Sequence, residues 1–174
     1  MDVIRQELTA GLSAGEYAVR VAVRLVVAML LGAVIGYDRE RAREWAGLRT
    51  HMLVSLGAAL FTVIPSEAGL ALGEMTRVVQ GIATGIGFIG AGSVLKLTDE
   101  REIQGLTTAA GIWVTAAVGV AIGLGFTGSA LLSVGLAWLV LAVVGRIEAR
   151  FARRDEAHDQ DRGRGGGRDH TAAG

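Results

Sequence analysis

Residues 105–145 read GLTTAAGIWVTAAVGVAIGLGFTGSALLSVGLAWLVLAVVG, 41 residues without one charged side chain. A membrane-spanning helix needs roughly 20 mainly apolar residues. As a single helix this run would measure about 60 Å, twice the thickness of a bilayer's hydrocarbon core. It must turn back, and the glycine-rich GLGFTG at 123–128 is where the chain can do so. A helix on the surface of a soluble protein has one apolar face and one charged face. Neither half of this run has a charged face, so its solvent is lipid.

The pattern continues towards the N-terminus. Residues 78–95 are uncharged, 21–36 contain only Arg24, and 51–64 are closed by Pro65, the single proline. The fold class is therefore all-α, a polytopic membrane protein. The expected bundle has five transmembrane helices at about 20–37, 49–65, 76–96, 105–123 and 126–146. Residues 1–19 read as a polar lead, 20–148 as the membrane domain, and 149–174 as a polar, disordered cytoplasmic tail rich in glycine and arginine. The apolar run after the lead ends in GYDRER rather than at a small-residue cleavage site, so no signal peptide is expected.

Basic residues set the expected orientation. Arg39, Arg41, Arg43, Arg49, Lys96, Arg101, Arg146, Arg150, Arg153 and Arg154 fall on one side, against Arg5, Arg20, Arg24 and Arg77 on the other. This places the N-terminus outside and the C-terminus in the cytoplasm.

Several function classes lack the residues they need. The formal net charge is zero, which gives no footprint for nucleic acid, and the absence of cysteine excludes disulfides and thiolate sites. His51, His158 and His170 are scattered without metal-ligand spacing. Ser55, Ser93 and Ser129 have no base in the same layer. Neither a catalytic set nor a cofactor site is expected, and the chain is read as a non-enzyme.

The stretch TGIGFIGAG, 84–92, contains Gly85-x-Gly87-x-x-Gly90, the letters of a dinucleotide fingerprint. That fingerprint needs a strand before it and a helix opening within it. Here it lies in the middle of an uncharged span, where a pyrophosphate would have no water, so no nucleotide is expected. Small residues let helix backbones approach closely in lipid. Gly81, Gly85 and Gly92 share a stripe with Phe88, Gly87 and Ala91 form another, and Gly90 lies opposite. A helix small on several sides is expected at the centre of the bundle. In helix four, Gly105, Ala109, Ala116, Gly119 and Gly123 lie on one side. The two helices are expected to pack through these faces, so that leucine at Gly85 or Gly119 destabilises the protein.

Polar residues near the spans are the candidate functional cluster. Asp38, Arg39 and Glu40 follow directly on helix one, and Arg49 and Thr50 open helix two. Charges at that depth need partners, and a pair between Arg49 and Asp38 or Glu40 is expected. Arg41, Arg43 and Glu44 read as a solvated connector. Gln80 and Thr84 lie on one face of helix three below Arg77, suited to hydrogen bonding across helices or to lining a polar path. Thr107 and Thr108 open helix four as caps or as bonds back to carbonyls. Arg20 and Arg24 are expected to reach lipid phosphates.

The segments LLGAVIGYDRERAREWAGLRTHMLVSLGAALF, RVVQGIATGIGFIGAGSVLK and EREIQGLTTAAGIWVTAAVGVAIGLG, in this order, resemble the first two, third and fourth helices of the MgtC/SapB membrane family. The resemblance covers roughly residues 30–125 and implies a five-helix membrane domain. Family-typical positions fall on Gly36, Arg39, Glu40, Gly47, Leu48, Arg49, Thr50, Gly85, Gly87, Phe88, Gly90, Gly92, Gly105, Leu106, Thr107 and Thr108. Asp38 stands where glutamate is usual, and Gln104 where a basic residue is common. Many members carry a soluble C-terminal domain, whereas here a short polar tail follows. The resemblance implies a bacterial inner-membrane protein linked to magnesium homeostasis and stress adaptation, one branch of the family restraining the ATP synthase by membrane contact. The leading expectation is a non-enzymatic factor that contacts another membrane protein or itself. The alternative is a small magnesium or proton transporter or channel, with Asp38, Glu40, Arg49, Gln80 and Thr84 in or near its path.

Overall fold

The computed structural model describes residues 15–96 and 103–144. Among the described residues five helices follow one another: α1 Gly15–Arg41, α2 Leu48–Glu67, α3 Leu72–Gly92, α4 Leu106–Gly123 and α5 Thr127–Leu139. The last continues as a π-helical turn, Val140–Val144. Between α3 and α4 lies a two-strand antiparallel pair, β1 (Leu95–Lys96) and β2 (Ile103–Gln104), with Leu95 opposite Gln104 and Lys96 opposite Ile103. The chain divides into two units, Met1–Ala137 and Trp138–Gly174.

The protein is an all-α membrane protein. Among the described residues three helices, α1, α2 and α4, are long and apolar enough to cross a membrane, and Thr127–Val143 is a shorter apolar helix. At 21 residues α3 has the length, but Glu74, Arg77 and Gln80 dilute its apolar character. The boundaries differ from the sequence expectation in three places. α1 begins within the polar lead and carries Asp38 to Arg41 as helix, its C-terminal arginines lying where the helix dipole favours cations. α2 runs past Pro65 to Glu67, because a proline in the last turn removes only one hydrogen bond. α3 lies further towards the N-terminus than expected, and Leu95–Lys96 is strand rather than helix. The proposed tail, 149–174, and most of the polar lead lie outside the described residues.

Three connections use one turn geometry. Glu44 N–H bonds the Arg39 carbonyl and Arg43 N–H that of Glu40, with Arg43 at φ 59°. The same pair of bonds recurs at Gly69 and Gly125, both with positive φ. This is the Schellman ending, which normally selects glycine; at the end of α1 an arginine fills the left-handed position.

The packing corrects the sequence expectation. The centre of the bundle is α2, held between α1 and α4, which also touch each other; α3 rests mainly against α4. Two GxxxG pairs grip α2. A β-carbon on Gly32 would lie 2.6 Å from the His51 carbonyl oxygen, and one on Gly36 would lie 2.8 Å from the Leu48 Cα. One on Gly119 would overlap the Ser55 carbonyl oxygen, and one on Gly123 would overlap the Thr62 hydroxyl. The small face of α4 is thus a packing face, but its partner is α2, not α3. Gly81, Gly85, Gly87 and Gly92 have nothing within 4 Å of a β-carbon position; only Gly90 approaches α4, 3.7 Å from the Ala109 Cβ. Small residues permit close approach without enforcing it, and α2 already occupies the α4 face that α3 was expected to take.

Buried hydroxyls are satisfied within this core. Ser55 donates to the Ala28 carbonyl of α1 at 2.7 Å, Thr62 to Ala58 at 3.0 Å, and Thr115 to Gly111 at 2.8 Å. In lipid such groups have no water to turn to.

Candidate functional site

The end of the bundle that carries the α1–α2 turn concentrates the ionic residues. The last turn of α1 presents Asp38, Arg39 and Glu40, and the left-handed Arg43 turns the chain so that Glu44 comes back over Arg39. Arg39 is only 6% exposed. Its Nη2 lies 2.9 Å from Asp38 Oδ2, and its Nη1 lies 3.5 Å from Glu44 Oε1. The Thr108 hydroxyl, buried at the start of α4, donates to Glu44 Oε2 at 2.7 Å. One guanidinium between two carboxylates therefore ties α1, the turn and α4 together. A buried cation is tolerated only with such partners, and removing one of them costs about 3–5 kcal/mol.

Glu40 has a different task. Its Oε2 accepts the Leu48 backbone N–H at 3.0 Å, satisfying an open donor in the first turn of α2. Gly47 precedes this turn, and a β-carbon there would overlap that same carboxylate oxygen. Any side chain at Gly47 would displace the Glu40 carboxylate from this capping position.

One turn into α2, His51 is fully buried, with Nδ1 3.0 Å from the Gly47 carbonyl. A carbonyl only accepts, so Nδ1 carries the proton and Nε2 presents a lone pair. Among the described residues Nε2 and the Arg39 Nε have no hydrogen-bond partner. Gly111 of α4 leaves space beside the ring, a β-carbon there lying 3.4 Å from Nε2.

Of the nine candidates, the structure brings together Asp38, Arg39 and Thr108, with Glu40 beside them. The expected pairing of Arg49 with Asp38 or Glu40 does not form. Asp38 is taken by Arg39 and Glu40 by the Leu48 amide, and Arg49 is exposed without a carboxylate partner among the described residues. Thr50 is half-buried, and Thr107 faces outward. Gln80 and Thr84 are exposed on α3, where Thr84 donates to the Gln80 carbonyl at 2.9 Å. Arg24 does not reach out to phosphates. It lies 2.9 Å from Glu67 and donates to the Gly123 carbonyl at 3.0 Å, with Arg20 3.6 Å from the same carboxylate.

Sequence reasoning missed Glu44 and His51. A signal for His51 exists in the spacing: Gly47, His51, Ser55, Ala59 and Thr62 descend one face of α2. A small and polar face on an otherwise apolar helix points inward in a membrane protein.

The MgtC family profile matches residues 25–150, the whole of this arrangement from the middle of α1 onward. The chain belongs to the MgtC family. It is 41% identical over 129 residues to Protein SrpB of Synechococcus elongatus, covering 68% of this chain and 71% of SrpB. Another MgtC-family relative, the Putative magnesium transporter YhiD of Escherichia coli K12, is 39% identical over 129 residues, 70% of this chain and 59% of YhiD. Protein MgtC of Salmonella typhimurium is 41% identical over 100 residues, 55% of this chain and 39% of that protein. The chain thus spans less than two-thirds of the length of YhiD and of MgtC. No solved structure matches this MgtC-family chain.

Proposed function

We propose that the chain is a non-enzymatic factor of magnesium homeostasis in a bacterial inner membrane, crossing it several times with the α1–α2 turn on the cytoplasmic side. It acts by contact with another membrane protein or a second copy. Family membership and the name of YhiD support the link to magnesium. The observation that carries contact over conduction is the distribution of polar groups. A conduit for a hydrated cation needs connected polar groups through the bilayer. Here the carboxylates at the α1–α2 turn are engaged by Arg39, Thr108 and the Leu48 amide. Below them the buried interior combines Ala28, Ala58, Ala59, Ile112 and Ala116 with His51, Ser55, Thr62 and Thr115, each bonded to a backbone carbonyl, so that with the GxxxG backbones in close approach these polar groups are isolated rather than connected.

The test pairs two measurements. A strain lacking its own copy should regain growth at low magnesium with the wild-type chain and not with Glu44→Gln, while the purified protein in liposomes passes no magnesium. A magnesium flux lost with Glu40→Gln would assign the chain to transport instead, the reading that the name of YhiD favours. A C-terminal reporter that scores as external would reverse the orientation.

A further inference from the structure

Between α2 and α3 the structure holds an open cleft of about 620 Å³, lined by Leu53, Gly57, Phe61, Gly81, Gly85 and Ile89 among other apolar residues. Small-molecule sites run to about 300–1,000 Å³, so it is large enough for a ligand. A β-carbon on Gly57, Gly81 or Gly85 would meet nothing within 4 Å. These positions form an unfilled wall, and Leu53, Phe61 and Ile89 stand exposed along it.

The chemistry at one mouth of the cleft selects the occupant. Thr50 stands in helical register at the head of Leu53, Gly57 and Phe61, and Arg49 lies one turn, about 6 Å along the axis, before Leu53. Arg49 is exposed and without a carboxylate among the described residues. The acidic groups of the neighbouring turn cannot serve it. Asp38 and Glu44 are held by Arg39 and Thr108, and Glu40 by the Leu48 amide. An apolar cleft opening beside a hydroxyl and a guanidinium that is unpaired among the described residues complements a ligand with an apolar chain and an anionic head.

We infer that this cleft binds one anionic phospholipid, its acyl chain between α2 and α3 and its phosphate at Arg49 and Thr50. The inference needs only the membrane fold and stands apart from the reading of the magnesium role.

The test is native mass spectrometry of the full chain released from detergent, with added phosphatidylglycerol or phosphatidylcholine bearing the same acyl chains. The wild type should retain one phosphatidylglycerol in preference to phosphatidylcholine. Arg49→Gln should reduce that preference about fivefold, the weight of one cation at a lipid surface. Gly85→Leu, which fills the cleft from α3, should abolish retention of both lipids while the protein stays folded by circular dichroism. Leu53→Trp fills it from α2 and should do the same, which keeps the test decisive if Gly85→Leu does not accumulate. Equal retention of the two lipids by the wild type would overturn the inference. So would undiminished lipid in the filled variants, or a lipid-free dimer that those variants dissolve, which would make a second copy the occupant.

Discussion

Gly119 and Gly85 look alike in the sequence, each a glycine in an uncharged run, yet the structure separates them sharply. Consider alanine at each. At Gly119 the added carbon would lie 3.0 Å from the Ala58 Cβ and would overlap the Ser55 carbonyl oxygen. Carbon atoms pack best at about 3.5–4.0 Å, so α4 must retreat from α2 by roughly half an ångström or more. That movement disturbs the most tightly fitted seam of the bundle. Overpacking of this kind costs about 1–3 kcal/mol. Replacing glycine by alanine within a helix returns up to about 1 kcal/mol, leaving Gly119→Ala neutral at best and up to about 3 kcal/mol destabilised. At Gly85 the carbon meets nothing within 4 Å, so the gain stands alone and Gly85→Ala should be unchanged or about 1 kcal/mol more stable. With leucine the contrast widens, since α4 cannot accommodate a branched side chain where a methyl already overlaps. The assay is a denaturant or thermal unfolding series on detergent-solubilised protein, followed by circular dichroism. If Gly85→Ala proved less stable than Gly119→Ala, the close α2–α4 seam would be refuted, and α3 would be the gripped helix after all.

The polar ends give three further expectations. Thr108→Val and Glu44→Ala should each destabilise the protein, and their double-mutant cycle should show coupling of about 1 kcal/mol or more, because each removes the same hydrogen bond to a charged group; additive effects would mean that Thr108 and Glu44 do not bond. Glu67→Ala should loosen the opposite end, where Arg24 would keep only the Gly123 carbonyl, and hydrogen exchange at the C-terminus of α4 should rise; no change there would place Arg24 in lipid headgroups as the sequence suggested. Arg43→Gly should stabilise by up to about 1 kcal/mol, the left-handed penalty of roughly 1–2 kcal/mol less the roughly 0.5–1 kcal/mol that glycine's greater freedom costs on folding; a loss of stability would show that the arginine side chain contributes more than its backbone costs.

What the sequence could and could not disclose follows from the range of the forces involved. Solvent preference is a sum over many residues, so the uncharged run at 105–145 announces lipid and helix whatever its neighbours are. Turns are local too: Gly69 and Gly125 sit where their helices end because the left-handed geometry is set by adjacent residues. Partner choice is neither summed nor local. The glycines of α3 and α4 satisfy the same rule for close approach, and only the competition for α4 decides between them. α2 wins it by offering Ser55, Ala58, Ala59 and Thr62, small enough to meet Gly119 and Gly123 at backbone distance, while also accepting Gly32 and Gly36 of α1 at Leu48, His51 and Ser55, nearer its N-terminus. The polar cluster fails to be legible for a related reason. Arg49 and Arg39 are equally basic, and it is the left-handed turn at Arg43 that returns Glu44 to Arg39 and leaves Arg49 outside. A glutamate read as solvated connector thereby becomes the bond between α1 and α4, and the cation expected to be paired is left without a carboxylate among the described residues. The same turn thus accounts for both the closed cluster and the open mouth beside it.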